Sequence, residues 1–576
     1  MTQNQSKQKL TVWNSIIILF SIIGLVVCIA VLFPQVRLMI LDYAGNILHK
    51  GESIDKRWFE SLSSFALGGI FLILLLDYCM LTDSGRTLVG KVKTDIKDCL
   101  SEIDFHSFQK PVLILFVIYL LGILSIIRAN FTYNDDVFRS VTGSRGWYDW
   151  SRYFSEFSSI LVHGNANLMD ISPLPQLLAV LILSISSVFL VYIIGNKKIT
   201  LVKLLASIPL GLSPFFLECL SYKYDAPYMS LSILASIVPF LFISHKKAFL
   251  FCSVVVLLIT CMTYQAAVGI YLLIVIFLNF QDWNSRRKSN KEILTFTGIA
   301  ILAFFLAMLL FKFFLMRSFT YEYASTATYP VSQLFSGILT NLKNYVITVN
   351  QDLSTIWKIG ILLVLLFFVT NTTVQSSQKK LISFFLSIFV VCVSFLLSFG
   401  MYMFLAIPLF APRALIGFGV FLAIICIYAV SKKPAIVVVL TLNWCLFVFA
   451  FSYGNALADQ KRYAEFRIGI LLHDLSVLYP NRTKEEMRFQ LHNSIDYTPA
   501  VKNVAKQNPI IKKLVPKRLG KFFWDEYYLI IHFNYATYFW KEDFIDFEKL
   551  NLPLVMDSYY HTIQSDGEHV LITLKR

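Results

Sequence analysis

Apolar runs long enough to cross a bilayer recur along the first 450 residues, separated by short polar turns that carry lysine and arginine. With roughly 17 to 25 apolar residues per crossing, the pattern predicts helices near 13–34, 64–81, 111–128, 174–195, 200–218, 228–244, 248–262, 265–280, 293–315, 358–370, 381–400, 414–430 and 434–451, about thirteen in all. The stretch 248–280 is too long for one crossing, and Thr263-Tyr264-Gln265 interrupts it with polar groups that lipid penalises, so it splits there. The first run, 12–33, exceeds a signal-peptide core and has no small-x-small cleavage site before Pro34, which predicts a retained anchor. Residues 91–108 read as an amphipathic helix with Val92, Ile96, Leu100 and Ile103 on one face. Beyond 451 the chain turns polar, with helical periodicity over 456–478 and strand-like runs at 487–491, 527–533 and 570–574. A small α/β domain is expected there, large enough to bury its own core.

Three parts follow: an N-terminal extension, 1–109, with two crossings; a membrane body, 110–451, with a long loop at 129–173; and a C-terminal α/β domain, 452–576. No internal repeat is visible, so an inverted-repeat transporter is not supported.

Composition agrees with a polytopic α-helical membrane protein: 56% hydrophobic residues and a mean hydropathy of +0.64 lie well outside the range of soluble enzymes. The net charge of +15 does not point to nucleic acid, because the basic residues fall in short clusters between apolar runs. Lys7/Lys9, 86–97, Lys197-Lys198, Lys246-Lys247, 286–288, Lys379-Lys380 and Lys432-Lys433 all fall on one side of the alternating count. The positive-inside rule makes that side the cytoplasm. The N-terminus is then cytoplasmic, while 35–63, 129–173, 219–227, 316–357, 401–413 and the C-terminal domain face outward. Nine cysteines sit singly in or beside apolar runs, without the spacing of a disulfide framework or a zinc site.

The candidate chemistry lies on that outward side. Asp135 and Asp136, in Tyr133-Asn134-Asp135-Asp136, open the long loop, and a hydroxyl acceptor becomes a useful nucleophile when a positioned carboxylate takes its proton. The plainer reading is loop solvation or helix capping, since Asn134-Asp135 is an ordinary N-cap pattern. Arg139, Arg145, Trp147, Asp149, Trp150 and Arg152 follow in the same loop, a mixture suited to sugar stacking and anion pairing, or to an interfacial aromatic belt. A second cluster, Glu218 with Lys223 and Asp225, sits in a tight turn between apolar helices; ionisable groups at membrane depth are costly unless paired or functional. A simple Glu–Lys loop pair is the alternative. Tyr264 and Gln265, at the helix break, suit a substrate headgroup or polar contacts between helices. Arg413 suits a lipid phosphate, its guanidinium binding two oxygens at once, or snorkelling to headgroups. Whether Lys312, Arg317 and Glu322 line a cavity or mark an interface is not legible, and His163 reads as structural.

The run Tyr133-Asn134-Asp135-Asp136, Arg139 and Gly143, then Pro214-Phe215-Phe216-Leu217-Glu218 with Ser221-Tyr222-Lys223-Tyr224-Asp225, then Tyr264-Gln265 and Pro412-Arg413, resembles the glucosyltransferase II family of O-antigen-modifying enzymes. The resemblance covers about residues 110–576. It implies a C-type glycosyltransferase fold in the bacterial inner membrane, with a periplasmic C-terminal domain. It also implies transfer of glucose from undecaprenyl phosphate to a sugar of a lipid-linked O-antigen or similar polysaccharide, beside a small flippase and a lipid-phosphate glucose synthase. Asp135 or Asp136 resembles the catalytic carboxylate, while Glu218, Lys223, Asp225 and Arg413 resemble residues around donor and acceptor. The departure is the N-terminal extension, because the acidic loop usually follows the first helix.

The reading is a hexosyl transfer in which Asp135 is the first choice of base, Asp136 is its partner or a substrate-orienting group, and Arg413, alone or with Lys223, stabilises the departing phosphate. The residues name no cofactor, and the adjacent carboxylates have open valence for a divalent ion such as Mg²⁺. The rival is a flippase of a lipid-linked saccharide, which would need polar residues continuing into the cytoplasmic half.

Overall fold

The structure is a computed structural model that describes residues 2–47, 56–321, 324–483, 488–519, 528–533 and 546–575. All thirteen apolar segments are helical. Ten helices among the described residues are long and apolar enough to cross a membrane, or eleven if the bent pair Leu201–Leu212 and Pro214–Ser221 counts as one span. The other two, Ala226–Phe242 and Gly417–Ala429, are apolar but shorter. Three of the thirteen runs are broken or short, although they lie in the same helical body.

The breaks carry local causes. Between the two halves of the bent pair, Ser213 is extended (φ −55°, ψ 136°), as expected of a residue before proline, and the axis turns by 61°. Pro214 and Pro227 each stand in the first turn of the helix they open, where a missing N–H costs nothing. At the expected split, Tyr264 is extended (φ −152°, ψ 106°) between Lys246–Thr263 and a short 3₁₀ turn, Gln265–Ala267. The amphipathic segment runs from Asp83 to Ser101 and stops earlier than expected; the Asp104 carboxylate then accepts the His106 N–H (3.1 Å) at the start of His106–Ala129.

The polar shift at 451 does not end a helix. Lys433–Leu478 is continuous over 46 residues and carries the membrane body directly into the C-terminal region. Its first half packs along His106–Ala129. Its second half supports a four-stranded sheet: β3 (Arg488–His492), β4 (Leu554–Asp557), β5 (His561–Ser565) and β6 (His569–Leu574), in the order β3-β6-β5-β4. The β3–β6 pair is parallel and the other two are antiparallel. A two-residue ribbon, β1 (Thr320–Tyr321) with β2 (Ala324–Ser325), lies in the loop after Asn290–Leu315. Of the strand-like runs, 487–491 and 570–574 match β3 and β6, whereas Tyr528–His532 is a π-helical turn and β4 and β5 carried no clear alternation. Residues 487, 527 and Glu322 lie outside the described residues.

This region closes a core of its own, which the acidic loop joins. Ala464, Ile468 and Leu471 of the long helix pack with Ile563, Val570 and Ile572 of the sheet, and Val137 of the acidic loop is buried among them. Arg467 fastens helix to sheet by donating to the Tyr560 (2.6 Å) and Lys575 (2.9 Å) carbonyls. The N-terminal hairpin packs differently, with Gly68 against Phe314 and Phe71 stacked on the same ring (5.5 Å), and most of its apolar surface stays outward.

Candidate functional site

His106–Ala129 ends at Asn130, which takes a left-handed conformation (φ 44°, ψ 45°) and turns the chain into the long loop. That loop is ordered by two helices, Asp135–Thr142 and Tyr153–His163. Both aspartates occupy the first turn of the former, where carboxylates are favoured by the helix dipole. Asn134 stands at the cap position but makes no capping bond; it sits at φ 32° and donates to the Tyr222 hydroxyl (3.1 Å). A non-glycine residue held in that region is a strained position that needs support from its surroundings.

The two carboxylates part company. Asp136 is fully buried, and its Oδ2 accepts the N–H groups of Lys223 (2.9 Å) and Tyr133 (3.3 Å), so it ties the acidic loop to the 222–225 turn. Burial pushes its carboxyl up to about 8, against the opposing pull of the Lys223 N–H. Asp135 instead lines a cavity of about 2310 Å³. Among the described residues no hydrogen bond holds its carboxylate, and burial raises its pKa while Arg139 opposes the rise.

Around that cavity the second cluster is braced rather than loose. Glu218 is buried, accepts the Arg413 backbone N–H (2.7 Å) and pairs with its guanidinium (2.5 Å). Arg413 is thereby aimed into the cavity over the Tyr222 ring, 5.6 Å from its centre, and its carbonyl accepts the Tyr264 hydroxyl (3.1 Å). Snorkelling does not describe an arginine gripped in this way. Asp225 is held by Arg139 and by the Trp147 indole N–H, with the Arg139 guanidinium 4.2 Å above the indole. Trp147 is thus a buried strut, not part of an interfacial belt. Gln265 donates to the Trp150 carbonyl (2.8 Å), and Arg152 lies 4.6 Å over the Tyr264 ring.

The structure brings Asp135, Arg139, Glu218, Asp225, Tyr264, Gln265 and Arg413 to one cavity. Lys223 is a correction. Its side chain turns away and pairs with Asp170 (3.2 Å), because its backbone N–H is committed to Asp136 and the turn points it behind the cavity wall. Asp136 is turned from the cavity towards the 222–225 turn. Oδ2 of Asp136 is occupied by two backbone N–H groups, whereas the Asp135 carboxylate faces the cavity. No group of three His, Cys, Asp or Glu side chains suited to a metal occurs among the described residues.

Lys312 lines the cavity from a π-helical turn, Phe311–Leu315, whereas Arg317 pairs with Asp149 (3.1 Å). His163 is buried and stacked on Tyr224 (5.9 Å), with burial lowering its pKa, as suits a packing residue. Sequence reasoning missed the cavity residues Tyr497, Lys512 and Lys517 of the C-terminal region. Their only signal was the short basic run around Leu514, without any hint of which wall it joins. Apolar side chains from two spans, including Leu272, Ile301, Phe304 and Met308, complete the lining.

A protein of Salmonella phage P22, described as an uncharacterized 55.3 kDa protein in the gtrB 5′ region, is 25% identical over 430 residues, covering 70% of this chain and 87% of that protein. No solved structure matches. The pattern of the family "Glucosyl transferase GtrII" matches residues 124–424, more than half of the chain and the stretch that carries Asp135, Glu218, Gln265 and Arg413. The chain belongs to the GtrII glucosyl transferase family.

Proposed function

We propose that this glucosyl transferase moves glucose from a polyprenyl phosphate, undecaprenyl phosphate in bacteria, to a hydroxyl of a lipid-linked O-antigen sugar. The reaction takes place on the periplasmic face of the inner membrane. The observation that carries the reading is the pairing, on one cavity, of an unbonded carboxylate, Asp135, with an arginine, Arg413, braced by a buried glutamate. Apolar walls from the span helices suit an isoprenoid chain, and the polar end suits a sugar phosphate.

In this reading the acceptor oxygen attacks the anomeric carbon of glucose as the bond from that carbon to the phosphate oxygen breaks. Asp135 takes the acceptor proton, and Arg413 pairs with the departing phosphate dianion. One displacement inverts the anomeric configuration. Access from one side is supported by the lining: none of the basic residues at 86–97, 197–198, 246–247, 286–288, 379–380 or 432–433 reaches the cavity. A flippase would need a polar path towards those ends.

The deciding experiment gives purified protein radiolabelled glucose on undecaprenyl phosphate together with lipid-linked O-antigen, with and without chelator. Labelled glycan is the expected product, and its formation in chelator would show that the protein groups suffice without a divalent ion. No transfer by folded protein, with label crossing the bilayer in vesicles, would replace the reading with the flippase.

A further inference from the structure

The cavity carries a second set of cations that the reaction as described does not use. The strap 510–518 reads Ile-Ile-Lys-Lys-Leu-Val-Pro-Lys-Arg, four basic residues and no acid. Its apolar residues Ile510, Ile511, Leu514 and Val515 are buried in the core of the membrane body. The Leu514 carbonyl accepts the hydroxyls of Tyr133 (2.8 Å) and Tyr453 (3.2 Å). Tyr133 lies two residues before Asp135, so the strap is fixed to the same loop that places the candidate base.

The lysines of the strap have different tasks. Lys513 pairs with Asp352 (2.8 Å), beside the start of the span Thr355–Val374, and is a tether. Lys517 shares Asp496 (3.0 Å) with Lys502 (2.7 Å), so one carboxylate serves two ammonium groups. Lys512 is exposed and lines the cavity, and its ammonium has no partner among the described residues. An arrangement whose backbone is anchored at the centre, with ammonium groups on either side of the anchor, leaves positive charge at a fixed place on the cavity wall.

We propose that Lys512 and Lys517 form an anion subsite for the lipid-linked acceptor, and that the group they hold is a diphosphate joining the glycan to its lipid. The inference rests on the function proposed above. A transfer between two lipid-borne sugars brings two phosphate-bearing substrates to one cavity, and Arg413 accounts for the donor's phosphate alone. A diphosphate suits ammonium groups, which act as compact point charges without the planar geometry of a guanidinium. Holding the acceptor at its diphosphate also fixes which sugar along the glycan reaches Asp135.

The test compares wild-type protein with the Lys512→Gln/Lys517→Gln variant and with Lys512→Arg/Lys517→Arg. Calorimetry in detergent measures binding of polyprenyl diphosphate, polyprenyl monophosphate and phosphatidylglycerol. The glutamine pair should weaken diphosphate binding about tenfold, leave monophosphate binding unchanged, and raise KM for the lipid-linked acceptor but not for the donor. The arginine pair keeps the charge and should keep most of the binding, which separates loss of the site from misfolding. Equal binding of diphosphate by wild type and glutamine pair, or a shift confined to phosphatidylglycerol, would overturn the proposal. Should wild type bind diphosphate through these lysines but transfer no glucose, the subsite stands and the glucosyl transfer reading fails.

Discussion

On the first turn of a helix, consecutive residues point about 100° apart. That offset alone separates Asp135, which faces the cavity, from Asp136, which faces the 222–225 turn. Asp135→Asn should keep the fold and lower transfer at least about 100-fold, the usual scale for a lost general base; a rate near wild type would remove Asp135 from the mechanism. Since burial raises its pKa, the acid limb of the pH–rate profile should lie above the 3.8 of an ordinary aspartate. Asp136 should behave in the opposite way. With its carboxyl pushed up to about 8, burial favours the protonated form near neutral pH, and Asn has nearly the shape and charge of that form. Asp136→Asn should therefore retain most activity, while Asp136→Ala leaves two buried N–H groups unmet at a cost of about 1–3 kcal/mol each. The sign of the pH effect follows from linkage: between 3.8 and about 8 the folded state binds a proton that the unfolded state has released. The contribution of Asp136 to stability thus falls as pH rises through that window. Thermal unfolding in detergent at pH 5 and pH 8 should show a drop for wild type that is smaller in Asp136→Asn.

At the scale of elements, the helices were legible because apolar length and polar interruption are both written locally, as Thr263-Tyr264-Gln265 shows. The boundary at 451 was not. Composition changes where the chain leaves apolar surroundings, but the backbone hydrogen bonds of Lys433–Leu478 do not depend on that change, so the helix continues. What fixes this helix against His106–Ala129 is a close approach at Gly454, where an added Cβ would lie 2.3 Å from the Ser125 hydroxyl oxygen and 2.4 Å from its carbonyl carbon. The neighbouring backbone cannot yield as a flexible side chain would. Gly454→Val should force the helices apart next to Asn130, lowering the melting temperature and transfer together. At Gly360 an added Cβ meets only the Leu442 side chain at 3.3 Å, so Gly360→Ala should be far milder. Comparable melting temperatures for the two variants would show that the crossing is not set by this contact.

Over the whole molecule, the candidate site is made from parts that lie hundreds of residues apart in sequence. Asp135, Glu218, Gln265 and Arg413 were visible because each stands at a break or turn between apolar runs, where a charged or polar group needs a reason to be. The orientation of Lys223, the burial of Asp136 and the joining of Lys512 to the same wall were invisible, since each depends on long-range docking rather than on local spacing. Val137 is where that docking concentrates. It follows the acidic pair directly, yet its side chain is buried among Ala464, Ile468, Leu491 and Ile572, so the sheet and the long helix hold the acidic helix from behind. Val137→Asp would place an unpaired charge in that apolar cluster, a cost of several kcal/mol, while leaving every apolar span as it is. Membrane insertion should therefore proceed normally. The C-terminal region should come away from the acidic helix, making 488–519 more sensitive to protease and reducing transfer by at least about 100-fold. Val137→Ile, which keeps the surface apolar, should lose little. If Val137→Asp transferred glucose at the wild-type rate, the C-terminal region would be an appendage; loss of transfer with intact insertion would make it the support on which the base is positioned.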